Sequence, residues 1–255
     1  MRKLYIGLFI VLVVFAAGCI SGGGTTPAPT TTTTTAANLP FTPDDMENAI
    51  KSLKSYEYTM HVDSYNGTKL VAQLSNEGAI DFERKLKSVS TFSNSSVGGG
   101  SYYRSYYYTT SSGYASYFDR NGTVTWEASC YGPGEGQDFN STILSGLWEI
   151  LNIDNVRVIE DGDYYVIYAN ETGGTAIGPN VTNAYRTRIE VRLTRDLIPV
   201  EIKKTVYYEK DGAKWVDVIT IDVRNPNAAV VEPPEELVEY LSAQGIDLAD
   251  FLSGC

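Results

Sequence analysis

The strongest constraint on this chain is a two-residue alternation of apolar and polar side chains that begins after Ser55. Tyr56, Tyr58, Met60 and Val62 alternate with Glu57, Thr59, His61 and Asp63, and Asn66-Gly67 closes the run. A strand turns successive side chains to opposite faces, so this pattern belongs to a half-buried strand. The same signal predicts strands at Leu70–Leu74, Ala79–Phe92, Tyr102–Thr109, Tyr114–Asp119 and Thr123–Tyr131. Breaks are expected around Asn76–Gly78 and Arg84, with a Ser/Gly loop over Ser93–Ser101. Strands follow at Val156–Glu160, Tyr164–Ala169, Tyr185–Leu193, Val200–Tyr208 and Ala213–Val223. The turns among these later strands include Asp161-Gly162, Arg195-Asp196 and Asp211-Gly212. Such short links favour antiparallel pairing, because parallel pairing needs long crossovers.

Three stretches have helical features instead. Thr42 can cap a helix, Pro43 suits its first position, and Asp44 and Asp45 complement its positive end. Met46, Ala49, Ile50 and Leu53 then form an apolar stripe. A second helix is expected over Phe139–Leu151 and a third over Glu235–Ser242, followed by a short apolar tail to Cys255. The expected class is α+β, mainly β. It is one large curled antiparallel sheet, a half-barrel of about 10–12 strands, with about three helices on its concave face.

The first forty residues read differently. Arg2 and Lys3 precede an apolar run, Leu4–Ala17, interrupted only by Gly7. The run has the form of a secretory signal and falls short of the roughly 20 residues of a spanning helix. Ala16, Ala17 and Gly18 ending at Cys19 resemble a lipobox, although Ala16 stands where Leu or Val is usual. The resemblance implies that residues 1–18 are a signal, that Cys19 is lipidated, and that the protein is anchored in the cell membrane facing the exterior. An uncleaved N-terminal anchor with an incidental Cys19 is the alternative. Residues 19–40 then form a Thr/Pro-rich tether, too poor in large apolar groups to fold. Its uncharged stretch Ser21–Ala37, at about 3.1 Å per residue, could reach roughly 50 Å. Lipobox and tether together are similar to the cell-surface lipoproteins of euryarchaea, and Gram-positive bacteria use similar layouts. Residues 41–255 are expected to be a single domain.

With Cys19 used as anchor, Cys130 and Cys255 remain, either bridged in an oxidising compartment or present as two free thiols. Six Asn-x-Ser/Thr sequons, at Asn66, Asn94, Asn121, Asn140, Asn170 and Asn180, are N-glycosylation candidates. Asn66, Asn94, Asn121 and Asn180 fall in expected turns or loops.

Composition narrows the chemistry. A net charge of −11, from 20 Lys+Arg against 31 Asp+Glu, argues against a nucleic-acid partner. A single histidine, His61, argues against His-based triads and multi-histidine metal sites. There is no Gly-x-Ser-x-Gly elbow, Walker loop, Cys-x-x-Cys pair or His-Glu-x-x-His motif. No cofactor, metal site or catalytic group is expected, and the chain reads as a non-enzyme.

Tyrosine is the one unusual feature. Tyr102, Tyr103, Tyr106, Tyr107, Tyr108, Tyr114 and Tyr117 crowd into sixteen residues. Tyr102, Tyr106 and Tyr108 share one strand face, while Tyr103 and Tyr107 take the other. A broad ring with a polar tip suits a binding surface, and β-propensity alone also explains tyrosine in strands. Tyr102, Tyr106, Tyr108 and Trp148 are the ligand-binding candidates. On that reading, Tyr106→Ser and Tyr108→Ser would weaken binding and leave the melting temperature nearly unchanged.

The element order resembles the lipoprotein carriers that include LolA, LppX and LprG. The resemblance covers roughly Phe41 to Leu241. It rests on the entry helix before YEYTMHVDSYNG, on Glu77-Gly78-Ala79-Ile80-Asp81-Phe82, and on Leu197-Ile198-Pro199-Val200-Glu201-Ile202. The Pro-Pro-Glu segment at Pro233 sits where such proteins place a terminal helix. This likeness implies a half-barrel around helices and a lipid or other amphiphile as ligand. The alternative is a structural or accessory envelope lipoprotein that binds a protein or glycan partner.

Overall fold

The computed structural model describes residues 39–172 and 184–255. Cys19, the tether to residue 38 and the Asn180 sequon lie outside the described residues.

Eleven strands form one open antiparallel sheet. They are β1 (Ser55–Asn66), β2 (Lys69–Asp81), β3 (Leu86–Ser95), β4 (Ser101–Thr109), β5 (Gly113–Arg120) and β6 (Thr123–Cys130), then β7 (Arg157–Asp161), β8 (Tyr164–Glu171), β9 (Ala184–Thr194), β10 (Pro199–Lys210) and β11 (Ala213–Arg224). Their spatial order is β6-β5-β4-β3-β2-β1-β11-β10-β9-β8-β7. Two meanders, one of six strands and one of five, therefore meet where β1 pairs with β11. The mainly β class, the curled antiparallel sheet and the strand count all match expectation.

Local chemistry sets the turns. Asn121-Gly122 and Asp211-Gly212 both place two successive residues at positive φ, as a type I′ hairpin requires. One expected break is absent, and the expected Ser93–Ser101 loop is shorter than its sequence suggests. Strand β2 runs through Asn76–Gly78, because Gly78 leaves room for the Tyr58 ring, 2.5 Å from where a Cβ would stand. Strand β3 extends to Ser95, so Asn94 lies in a strand and not in a loop.

The strand registers sort side chains onto two faces. Tyr58 lies opposite Gly78 and Val223, and the row continues through Val89, Tyr107 and Ser116. This side is termed face A. Tyr108, Ala115, Glu57 and Thr59 point the other way, onto face B.

Helix α1 (Pro43–Lys51) begins as expected. Thr42 caps it, and the Asp45 carboxylate accepts from the Thr42 amide at 2.8 Å, which holds that carboxyl below its usual pKa. Met46 and Ile50 of α1 join Tyr56, Met60, Ile80, Ile202 and Ile221 in the main core on face A.

The helix expected over Phe139–Leu151 is not formed. Only Leu147–Asn152 winds, as a 3-10 helix. Upstream, the Ser145 hydroxyl accepts from the Thr142 amide at 2.8 Å and donates to the Asn140 carbonyl at 2.8 Å. These bonds compete with a helical ladder, and Gly146 at φ 76 then reverses the backbone. Phe139, Leu144, Ile150 and Leu151 still reach the core, as an irregular cover on face A.

Helices α2 (Glu235–Ala243) and α3 (Leu248–Ser253) pack elsewhere. Leu237, Leu241, Leu248 and Leu252 form a second core with Tyr108 and Ala115, on face B. The helical cover is thus divided between the two faces. The apolar tail after α2 supplies α3, capped by Asp247, whose side chain accepts from the Asp250 amide at 2.9 Å. A disulfide joins Cys130, at the end of β6, to Cys255.

Candidate functional site

The larger of two notable concavities lies on face A, between α1, the 3-10 helix and strands β9–β11. It has a volume of about 630 Å³, within the usual range of small-ligand sites. Register builds its floor, since Ile189 lies opposite Lys204 and Lys204 opposite Ile219. Ile202 and Ile221 pair one step along and continue the apolar strip. Leu147, Trp148, Ile150 and Ile153 form the opposing wall.

Charge collects around this strip. Asp44 and Glu47 enter from α1, Glu149 from the 3-10 helix and Glu171 from the end of β8. Lys51 meets Glu47 at 2.5 Å and stands 5.6 Å from the centre of the Trp148 ring. Burial pushes the Lys204 ammonium below its usual pKa, and the nearby Glu171 carboxylate opposes the shift. An apolar floor with Lys204 set among its isoleucines and carboxylates at its margin can hold a hydrocarbon chain and leave a polar head beside the charged groups.

A smaller concavity of about 310 Å³ lies on face B, bounded by Glu57, Thr59, Glu77, Ser90, Arg224 and Glu232. Arg224 donates to the Thr59 hydroxyl at 2.9 Å, and Asn225 donates to the Glu57 carboxylate at 2.8 Å. Its lining lacks the continuous apolar strip that would hold a chain.

The four ligand-binding candidates do not converge. Trp148 lines the face A cleft. Tyr102, Tyr106 and Tyr108 lie on face B, as their shared register requires. Tyr108 is 9% exposed beneath α2 and α3, and Tyr106 packs at the margin of the same cluster. Tyr102 is 38% exposed and away from the cleft. Only Trp148 keeps its candidacy at this site. The isoleucines of β9–β11 escaped notice in the sequence because each strand looks like ordinary core. Their signal is the single Lys204 on an otherwise apolar strand face.

Among the sequons, Asn66, Asn94, Asn121, Asn140 and Asn170 are all solvent-exposed. The Asn121 side chain also accepts from the Tyr102 amide at 2.9 Å, which fixes the β5–β6 turn. His61 is exposed on face B, opposite Ser75 and Thr220. Among the described residues, no group of three or more His, Cys, Asp or Glu is placed to hold a metal ion. No helix among them is long and apolar enough to cross a membrane.

No family model matches the sequence, and no curated protein does. Solved structures show distant likeness. One is a DUF1329 family protein from Desulfovibrio piger, at 9% identity and a TM-score of 0.26, covering 74% of this chain and 92% of that one. Another is a LolA superfamily protein from Nitrosomonas europaea, at 9% identity and a TM-score of 0.22, covering 74% of this chain and 94% of that one. Likeness of this size carries no argument about what the chain binds.

Proposed function

We propose that this protein is a non-enzymatic binding module that holds a lipid or other amphiphile, anchored to the outer side of a membrane through Cys19. The face A cleft carries the reading. Its isoleucine floor would gain about 25 cal/mol for each Å² of apolar surface removed from water. The charged groups around it suit a head group that stays hydrated.

A neutral fluorescent probe, N-phenyl-1-naphthylamine, tests the cleft in the full-length protein. Binding should shift the emission of Trp148. Trp148→Ala should weaken binding about tenfold, equivalent to about 1.4 kcal/mol. Ile189→Ala should weaken binding further, because it removes apolar area from the floor. If no probe is taken up and native mass spectrometry of the purified protein shows no bound amphiphile, the proposal is wrong.

The anchor has its own test. Wild-type protein should sediment with membranes and carry an acyl-modified N-terminal cysteine. Cys19→Ser should abolish that modification and release the protein. Membrane retention of an unlipidated Cys19→Ser protein would instead establish an uncleaved N-terminal anchor.

A further inference from the structure

An open sheet has two edge strands, and here the two are built differently. Strand β7 has five residues and is charged at its outer end, where Asp161 meets Arg192 at 3.1 Å and Glu160 meets Arg195 at 2.9 Å. Short length and charge both guard an edge against pairing with another chain. Strand β6 has eight residues, no Pro, Lys or Arg, and no bulge against β5. Thr123, Val124, Thr125, Trp126 and Glu127 are all exposed, Val124 and Trp126 at 40% each. Among the described residues, no main-chain hydrogen bond from a loop or turn reaches residues 123–129.

Hairpin geometry shows which groups β6 offers. The two-residue turn Asn121-Gly122 closes on Arg120 and Thr123, so these two exchange hydrogen bonds and the pairs alternate from there. At the other end the Tyr131 amide donates to the Ser112 carbonyl at 2.8 Å, in the same phase. The amides and carbonyls of Val124, Trp126 and Ala128 therefore point away from β5. Their side chains lie on face B, opposite Asp119, Tyr117 and Ala115. Beside Trp126, the Tyr117 ring meets Tyr240 of α2 edge-on, with centres 4.7 Å apart.

We infer that β6 pairs with β6 of a second copy of this chain, antiparallel about a two-fold axis through Trp126. Outward groups must meet outward groups, so the axis passes through a residue and not between two. Centring on Trp126 pairs the whole of Thr123–Ser129: Val124 faces Ala128, Thr125 faces Glu127, and Thr123 faces Ser129. Apolar side chains meet on face B, and the carboxylate meets a hydroxyl on face A. An axis at Glu127 would oppose two carboxylates, and one at Thr125 would set Ala128 against Gly122 of the turn. Glu127 is the only charge on β6, so two copies of a strongly acidic chain can join here without opposing like charges. The two Trp126 rings then meet at the axis, flanked by the two Tyr117–Tyr240 pairs, and lose their exposure to water. Because the contact is isologous and β7 is guarded, assembly closes at two copies. The face A cleft shares no residue with β6, so the inference is independent of the amphiphile reading.

Native mass spectrometry of the full-length protein released from detergent, over a concentration series, tests it. A monomer–dimer equilibrium without larger species is expected. Trp126→Lys, which sets two ammonium groups against each other, should weaken the dimer at least about tenfold. Val124→Pro removes an outward amide and none of the β5–β6 hydrogen bonds, so the dimer should be lost while the melting temperature changes little. Ile159→Lys, the same charge at an exposed position on β7, should leave the dimer intact. Monomer at every concentration overturns the inference, whether or not some other chain is bound. So does a dimer that survives both β6 substitutions, or one that Ile159→Lys weakens as much as Trp126→Lys does.

Discussion

Reducing the Cys130–Cys255 bond, or replacing both cysteines by serine, is expected to lower stability by about 4–5 kcal/mol, the chain-entropy value for a loop of this size. The two residues are 125 apart in sequence, so the bond removes much freedom from the unfolded chain. Its folded-state setting adds to the effect. Cys255 directly follows α3, whose Leu248 and Leu252 pack with Ala115 of β5, and Cys130 ends the neighbouring edge strand β6. Without the bond, α3 is a six-residue helix at a chain end, and termini fray unless tied down. Urea unfolding with and without reductant checks the prediction. The midpoint of wild type should fall on reduction, and the double variant should match reduced wild type in either condition. A midpoint indifferent to reductant would show that the bond contributes nothing.

Tyr108→Ser is expected to cost about 3 kcal/mol, at the lower end for truncating a buried aromatic side chain. At roughly 2–4 °C per kcal/mol for a domain of this length, the melting temperature should fall by about 6–12 °C. Tyr108 is 9% exposed and lies with Ala115, Leu237 and Leu241 beneath the C-terminal helices. Serine would leave a cavity there, and the helices could close over it only in part. Tyr102→Ser, at a 38% exposed position on the same strand face, should change stability by less than about 0.5 kcal/mol. Calorimetric melting of the two variants side by side separates them. The expectation drawn from the sequence, that replacing Tyr108 would leave the melting temperature nearly unchanged, is thereby reversed. Strand alternation places a side chain on a face without saying whether that face is covered.

The same distinction runs through the molecule. Alternation and Asn-Gly or Asp-Gly turns identify strands because both are local properties of the backbone, and all eleven strands of the sheet correspond to such patterns. The Phe139–Leu151 stripe has helical spacing, yet Thr142 and Ser145 make local hydrogen bonds and Gly146 reverses the chain. Its apolar residues are buried all the same, so their pattern reported burial correctly and conformation wrongly. The tyrosine register was legible in β4, but the placement of α2 and α3 over Tyr106 and Tyr108 was not.

By itself, then, the sequence determined the mainly β class, the antiparallel pairing, the cap of α1 and the division of the tyrosines into two sets, because each depends on neighbours a few residues apart. The tertiary structure alone decided that β1 would pair with β11, that the C-terminal helices would cover face B, and that isoleucines from three strands would floor one cleft with Trp148. Those outcomes depend on contacts between residues tens of positions to more than a hundred positions apart. They are settled by which apolar surfaces bury one another most completely, and no local pattern encodes that competition.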